Sequence, residues 1–236
     1  MRTFHPAAAL AAFALCALAL PAAADAQVLT FEGIDSWTKP GVITAPIGNY
    51  YDGGAGPNLG IQLSANALAV CLNTLTRWCT YTSRGGVGDP ASQNSGMMFL
   101  NGTTAYVNHL AGFTTGFSFF YTALNVGGAF HVWSGLGGSG ALLASLTLPV
   151  TTGGCVAEYG AGFCPFVAVG GAFSGTAHSV TFDGVADNIG FDDITFGSVT
   201  PGEVGVALAP EPATAALVAT GLAGLGLASW RRGRRG

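Results

Sequence analysis

The chain has 236 residues, of which 50% are hydrophobic and only 8% are charged. This charged fraction is about a third of that in typical soluble proteins, which argues against an ordinary cytosolic enzyme. Residues 27–200 hold nine acidic and three basic side chains, so their net charge is −6. That balance excludes the basic surface of a nucleic-acid-binding domain and gives no attraction to anionic membranes or strongly anionic polymers.

The first residues have the features of a secretory signal peptide. Arg2 precedes an uncharged run over residues 7–20, and the sequence "AAADAQ" follows. A basic start, a short apolar centre and a small-residue cleavage site are typical of such peptides. We therefore predict a signal peptide over residues 1–26, removed by signal peptidase after passage through the general secretion machinery, and a mature chain that begins at Gln27.

Residues 27–200 are predicted to form one all-β domain. Short apolar runs are separated by Gly, Asn, Asp and Pro, and "SFFYTA", "FHVWS" and "HSVTFDG" alternate apolar with polar residues. Such alternation is typical of antiparallel sheets with one buried face. The predicted architecture is therefore a two-sheet antiparallel sandwich, jelly-roll-like. The predicted strands are Val28–Glu32, Gly60–Ser64, Ala67–Cys71, Met97–Leu100, Thr104–Leu110, Gly116–Thr122, Ala129–Ser134, Ala141–Leu148, Phe166–Val169, Ala177–Phe182 and Asn188–Phe196.

Four cysteines remain once Cys16 is removed with the signal peptide. They form two local pairs, Cys71 with Cys79 and Cys155 with Cys164. An even number at short spacing in an exported chain indicates disulfide bonds. Four cysteines allow three connectivities, of which the two local bridges require the least chain closure. A zinc site is less well supported, because neither pair has a two-residue gap or an adjacent histidine.

The last residues combine an apolar segment with a basic end. Residues 213–230 carry no charge, and a helix of this length just reaches across the roughly 30 Å hydrocarbon core of a bilayer. The arginines that follow are expected on the cytoplasmic side. We predict a linker over residues 201–209, a transmembrane helix over 213–230 and a basic tail over 231–236, whose arginines are Arg231, Arg232, Arg234 and Arg235.

The order of these features resembles a known sorting signal. The sequence "PEPATAALVATGLAGLGLASWRRGRR", which starts with Pro210, Glu211 and Pro212, is similar to the PEP-CTERM signal of Gram-negative bacteria. The resemblance implies recognition by a membrane-embedded exosortase, cleavage near the Pro-Glu-Pro, and display on the cell surface or release into the matrix. A simple tail anchor is the alternative, because hydropathy alone fits both readings.

The domain itself resembles the passenger of exosortase-dependent surface proteins. The resemblance covers most of residues 50–197 and includes "GFSFFYTA" and "FSGTAHSVTFDGVADNIGFDDITFG". It implies that an early strand pairs with a late one, as in carbohydrate-binding jelly rolls, where carboxylates on the terminal strands often hold a structural calcium ion. Calcium takes six to eight oxygen ligands. The corresponding candidates are Glu32, Asp187, Asp192 and Asp193.

The same aspartates have a purely structural alternative. Asp187 and Asp192 are then turn and edge residues, and Asp193 is solvated on the polar face of the last strand.

Aromatic side chains are the predicted contacts for a sugar. Exposed rings in irregular segments can stack on sugar rings, and ordinary core or rim packing is the alternative for each one. The candidates in or near irregular segments are Trp37, Tyr50, Tyr51 and Trp78, and the remaining ones are Tyr81, Tyr106, Tyr121, Trp133 and Tyr159.

No catalytic residues are predicted. Asp192 and Asp193 are adjacent on a predicted strand and so point to opposite faces, which rules out a glycosidase pair between them. His178 and Ser179 are separated in the same way, while His109 and His131 lie on other strands. We expect a non-enzymatic surface or matrix protein that adheres to extracellular polysaccharide. The alternatives are a specific, calcium-stabilised carbohydrate-binding module and, third, a hydrolase with opposed carboxylates.

Overall fold

The computed structural model describes residues 26–35, 44–71, 95–99, 101–151 and 165–203. These residues contain β-strands and no α-helix, which confirms the predicted all-β class. The twelve strands are β1 (Gln27–Leu29), β2 (Thr44–Pro46), β3 (Ile61–Leu63), β4 (Ala67–Cys71), β5 (Ser95–Phe99), β6 (Thr104–Phe113), β7 (Gly116–Ala123), β8 (Gly128–Trp133), β9 (Leu142–Leu148), β10 (Val167–Ala172), β11 (Ala177–Asp183) and β12 (Ile189–Phe196).

The predicted membrane-related segments cannot be compared with these strands, because residues 1–25 and 204–236 lie outside the described ranges. Within those ranges, no helix is long and apolar enough to cross a bilayer.

The strands form two antiparallel sheets. One has seven strands in the order β10-β7-β12-β5-β4-β2, with β1 beside the second half of β12, and the other has five in the order β3-β6-β11-β8-β9. In the pairing of β1 with β12, Gln27 lies opposite Phe196 and Leu29 opposite Ile194. The first and last strands of the domain are therefore neighbours, as the family resemblance implied.

Phenylalanines fill the space between the sheets. Phe117 of β7 stacks on Phe130 of β8 with ring centroids 4.5 Å apart. Phe182 of β11 and Phe191 of β12 are also 4.5 Å apart, and all four rings are fully buried. Because each pair joins one sheet to the other, these contacts define the core of a sandwich. Large aromatic side chains contribute much of the apolar area that such a core buries.

Every predicted strand overlaps an observed one, and β2 was not predicted. Its three residues, Thr44 to Pro46, are too few to show alternation, and a proline argues against an internal strand. In the structure β2 pairs with β4 at the end of the seven-stranded sheet, with Thr44 opposite Val70. A proline is tolerated in such a position because one side of an edge strand needs no hydrogen-bond donor.

Cys71 ends β4 inside the core and is disulfide-bonded. The other four cysteines lie outside the described residues, so the pairing of Cys71 with Cys79 and of Cys155 with Cys164 stays a prediction.

Candidate functional site

The acidic residues of β12 are buried and lie at a β-bulge. Asp192 lies opposite Phe120 of β7 whereas Thr195 lies opposite Ser118, so β12 has one more residue than its partner over this stretch. Asp193 adopts a left-handed backbone with φ of 47°. A bulge of this kind interrupts the alternation of side chains along a strand. The expectation that Asp193 is solvated on the polar face was therefore wrong: Asp192 and Asp193 are 0% and 3% exposed.

Local hydrogen bonds hold the bulge in place. The Asp193 amide donates to Oδ1 of Asp192 at 2.8 Å. The Thr195 hydroxyl donates to the Asp193 carbonyl at 2.8 Å and accepts a bond from the Gly202 amide at 3.0 Å. These bonds fasten β12 to the segment that follows it, so ordered contacts continue past Thr200, the predicted end of the domain.

Of the four predicted calcium ligands, Asp192 and Asp193 are adjacent in the bulge of β12, whereas Asp187 and Glu32 belong to other segments. Asp187 is an exposed turn residue with φ of 56°, and Glu32 follows β1. Among the described residues, which include all four candidates, no three His, Cys, Asp or Glu side chains form a group that could hold a metal ion. Calcium binding at Glu32, Asp187, Asp192 and Asp193 stays a prediction.

The predicted sugar contacts Tyr50 and Tyr51 stabilise the chain after β1. The Tyr51 hydroxyl accepts a bond from the Phe31 amide at 2.8 Å, and Phe31 has a left-handed φ of 59° that a bulky residue rarely adopts. Tyr50 donates to the Glu32 carbonyl at 3.0 Å, and the two tyrosine rings meet edge to face at 5.0 Å.

The Tyr51 ring is too deeply buried to stack on a sugar. The side chain is 3% exposed, and removal from water raises the pKa of its hydroxyl well above the ordinary value. The prediction of Tyr51 as a stacking platform was wrong, because the ring is enclosed in the core. Trp37 and Trp78 lie outside the described residues.

The outward surface of the five-stranded sheet carries a different set of side chains. In the central strands β6, β11 and β8, buried residues such as Val107, Val180 and Phe130 point into the core. The residues between them point away from it, because side chains alternate along a strand. We call this surface the outer face, and its main side chains are Thr104, Tyr106, His131, Trp133, Thr181 and Asp183.

The outer face carries two large aromatic side chains, Tyr106 and Trp133. Tyr106 and His131 flank Thr181 from opposite sides, two strand spacings or about 9.5 Å apart. Tyr106 is 37% exposed. Trp133 is half-buried, packs against the His131 ring at 6.1 Å, and donates from Nε1 to the Thr181 hydroxyl at 3.1 Å. The aromatic rings thus border a polar strip centred on β11.

Asp183 is the charged centre of that strip. One carboxylate oxygen lies 3.2 Å from Nε2 of His131, and the other accepts a hydrogen bond from the Thr104 hydroxyl. The side chains of Asp183 and His131 are both partly exposed. Thr104 bonds to the carboxylate and not to the imidazole, so these three residues lack the nucleophile-to-base contact of a Ser-His-Asp triad. They present hydrogen-bonding groups to solvent.

A glycine-rich loop between β8 and β9 closes one end of the outer face. The Gly137 amide donates to Oδ1 of Asn108 at 2.6 Å, and the Gly138 amide donates to the Ser179 hydroxyl at 3.0 Å. Gly138 has φ of 75°, and a Cβ atom there would lie 2.7 Å from the Thr181 methyl group. Glycine is required at this position because the loop lies directly on the sheet.

The other described histidines, His109 and His178, and Ser179 have structural contacts. Nδ1 of His178 lies 3.0 Å from the Ser134 carbonyl, and Ser179 donates to the Gly135 carbonyl, so both residues hold the loop. His109 is buried against Phe113 and Phe196. Burial lowers the pKa of His109, and the nearby His178 lowers it further.

Tyr106 and Trp133 belong to the wider set of predicted aromatic candidates, but the four preferred candidates were those in or near irregular segments. The signal was present in "FHVWS", where His131 and Trp133 alternate with the buried Phe130 and Val132. Sequence alternation indicates an outward side chain, but only strand pairing shows that β6 and β8 lie on either side of β11.

Comparisons with known proteins add little to this geometry. No protein-family model and no curated protein matches the chain. The K2 adhesin domain of Lys-gingipain is 13% identical with a TM-score of 0.36, and the match covers 72% of this chain and 98% of that domain. The K3 adhesin domain from Porphyromonas gingivalis is 16% identical with a TM-score of 0.34, over 74% of this chain and 100% of that domain.

An arabinoxylan arabinofuranohydrolase of glycoside hydrolase family 43 from Bacillus subtilis is 20% identical, with a TM-score of 0.31 over 54% of this chain. The chain spans only 24% of that enzyme. All three TM-scores are too low to establish a shared fold.

Proposed function

We propose that this chain is an exported, non-enzymatic surface or matrix protein whose jelly-roll-like domain binds extracellular polysaccharide through the outer face. The observation that carries the proposal is the placement of Tyr106 and Trp133 on one sheet face, bordering the polar strip of His131, Thr181 and Asp183.

The chemistry of the outer face matches that of a sugar chain. A sugar ring offers an apolar C–H surface, which packs well on an aromatic ring, and a rim of hydroxyl groups, which bond to carboxylate, imidazole and hydroxyl side chains. The Asp183 carboxylate provides charge-assisted hydrogen bonds of the stronger kind. Because these side chains extend from paired strands, their spacing is held by the sheet rather than by mobile loops.

A binding measurement tests the proposal directly. The full chain, produced with export so that disulfide bonds form, is mixed with cellulose, chitin and the polysaccharide of the bacterium that makes the protein. We expect saturable binding to at least one polymer, weakened about tenfold by Tyr106→Ala through the loss of a stacking contact. Val185→Ala removes an exposed apolar side chain from the β11–β12 turn and serves as the control, with no expected change.

Absence of saturable binding to every polymer, or equal weakening by both variants, would contradict the proposal. Repeating the titration with calcium and with a chelator tests the alternative of a calcium-stabilised module. Binding that disappears with the chelator would favour that alternative.

We further propose that the chain reaches the cell surface by exosortase sorting, on the basis of its signal-peptide features and the Pro-Glu-Pro tail. In the producing bacterium, Glu211→Ala is expected to leave an uncleaved chain in the inner membrane. Fractionation and the mass of the chain measure this, with Glu203→Gln as a control outside the tail. Normal cleavage of the Glu211→Ala chain would contradict recognition of the Pro-Glu-Pro, whereas an unmodified chain that stays uncleaved in the inner membrane would favour a simple tail anchor.

A further inference from the structure

We propose that the outer face prefers glycans that carry free amino groups over neutral or anionic glycans. This inference rests on the proposed function and names the ligand class of the same surface. Three features of the structure support it: the charge of the domain, the free acceptor positions of Asp183, and the aromatic rings beside it.

The charge of the described residues is one-sided. They include no lysine or arginine, so only histidines can offer a positive charge to an anionic sugar. Their acidic residues number eight: Glu32, Asp35, Asp52, Asp183, Asp187, Asp192, Asp193 and Glu203. A surface with this balance repels uronic-acid polymers and attracts cationic ones.

Asp183 places this negative charge in the middle of the outer face. A carboxylate has about four acceptor positions, and Thr104 and His131 use two of them. The Asp183 side chain is 35% exposed, so acceptor capacity remains directed to solvent. An ammonium group carries three donors and no acceptor, which suits this site better than a hydroxyl or an acetamide does.

The aromatic rings add a second attraction for a cation. Tyr106 lies two residues along β6 from Thr104, the residue directly opposite Asp183. Diagonal neighbours of this kind are about 7 to 8 Å apart, within reach of a long side chain or a single sugar ring. The face of an aromatic ring attracts ammonium groups electrostatically, so one sugar ring can stack on Tyr106 while its amine reaches Asp183.

A second carboxylate lies at the border of the same sheet. Asp52 accepts a hydrogen bond at 2.7 Å from Gln62 of β3, and Gln62 is paired with Asn108 of β6. A polymer that crosses from β11 toward β3 therefore meets a second anionic group, which favours amines repeated along the chain.

Chitin and chitosan provide a matched pair of probes, because they differ chiefly in the acetyl group on the sugar nitrogen. We measure binding of the full chain to both, and to alginate, at a pH where the chitosan amines are protonated. Chitosan is expected to bind about tenfold more tightly than chitin, which corresponds to one charge-assisted hydrogen bond. Binding to chitosan should weaken with added salt, and alginate should not bind.

Asp183→Asn tests the residue, with Glu203→Gln as its matched control. Both changes remove one negative charge, but Glu203 is bonded to Ser198 beyond the end of β12 in the other sheet. We expect Asp183→Asn to weaken chitosan binding about tenfold and leave chitin binding unchanged, while Glu203→Gln changes neither. If Asp183→Asn does not fold, two other measurements test the same preference. They are the chitosan binding of Asp52→Asn and the salt dependence of chitosan binding by the unmodified chain.

The outcomes separate the two proposals. Equal affinity for chitin and chitosan, or equal effects of Asp183→Asn and Glu203→Gln, would overturn the amine preference and leave polysaccharide binding intact. A chain that binds none of the polymers overturns the proposed function itself.

Discussion

The two sheets present very different surfaces on the sides that face away from the core. On the seven-stranded sheet, Val70 and Phe166 are buried with Phe120 and Leu124 packed against them, and Asp192 is fully buried beside Phe120. On the five-stranded sheet, Tyr106 and Asp183 remain in contact with solvent. One surface is an apolar cluster and the other is a polar, partly aromatic one.

A repeated dipeptide shows how this difference arises. Phe182-Asp183 ends β11 and Phe191-Asp192 lies in β12, and the two phenylalanines contact each other in the core. Each aspartate therefore points to the outer side of its own sheet. Asp192 is covered there and Asp183 is not, so the same local sequence is buried in one sheet and exposed to solvent in the other. Asp183 and Asp192 therefore differ in whether they are covered by other parts of the chain, not in residue type.

The largest expected effect comes from breaking the core that holds the two sheets together. Phe182→Ala removes a fully buried ring that contacts Phe119, Phe130 and Phe191. We expect a loss of about 3 to 5 kcal/mol in the free energy of unfolding, measured by denaturant titration. A loss below about 1 kcal/mol would mean that the core does not join the sheets as described.

Paired tyrosine variants sharpen the contrast between buried and exposed aromatic residues. Tyr51→Phe leaves the buried Phe31 amide without its acceptor, which is expected to lower stability by about 1 to 3 kcal/mol. Tyr106→Phe removes a hydroxyl from a partly exposed side chain and should change stability by less than about 0.5 kcal/mol. Denaturant midpoints of both variants give the comparison, and equal midpoints would contradict it.

The loop on the outer face gives a somewhat smaller effect. Gly138→Ala places a methyl group against Thr181 in a left-handed backbone, and we expect a loss of about 1 to 2 kcal/mol together with weaker polysaccharide binding. Gly137→Ala has a similar φ of 62° but no atom within 4 Å of the added methyl group. It should cost less and leave binding unchanged. Similar losses of binding in both variants would show that the contact with Thr181 is unimportant.

The smallest effect concerns the pH dependence of stability that the buried His109 contributes. Because burial lowers its pKa in the folded chain, the unfolded chain binds a proton more readily. The contribution of neutral, buried His109 to the stability of the fold is complete above the ordinary pKa of about 6.5. It is lost as pH falls through that value toward the pKa of His109 in the folded chain. His109→Phe should flatten the acid side of the stability curve, measured by thermal unfolding, and an unchanged acid side would contradict this prediction.

Local sequence was a sound guide to the strands because alternation and turn residues are local properties. Alternation and turn residues placed β4 at Ala67–Cys71. The pairing of the first and last strands was predicted from the family resemblance. The bulge at Asp193 escaped prediction because a bulge depends on the register of two paired strands. Tyr51 was misassigned for a related reason: the path of its loop across the core is a tertiary property. The sheet order that brings Tyr106 and His131 to opposite sides of Thr181 is equally invisible in a single sequence.

The row that contains Thr181 runs across the whole five-stranded sheet. It passes from Ser64, whose amide bonds to the Tyr106 carbonyl, through Tyr106, Thr181 and His131 to Ser145. Four strand spacings make this path about 19 Å long. A polymer bound along it enters at one side of the sheet and leaves at the other, so no free chain end is needed. Under the proposed function, several copies of the protein can bind one polymer at successive points, and avidity, not the strength of any one contact, would set how firmly the polymer is held.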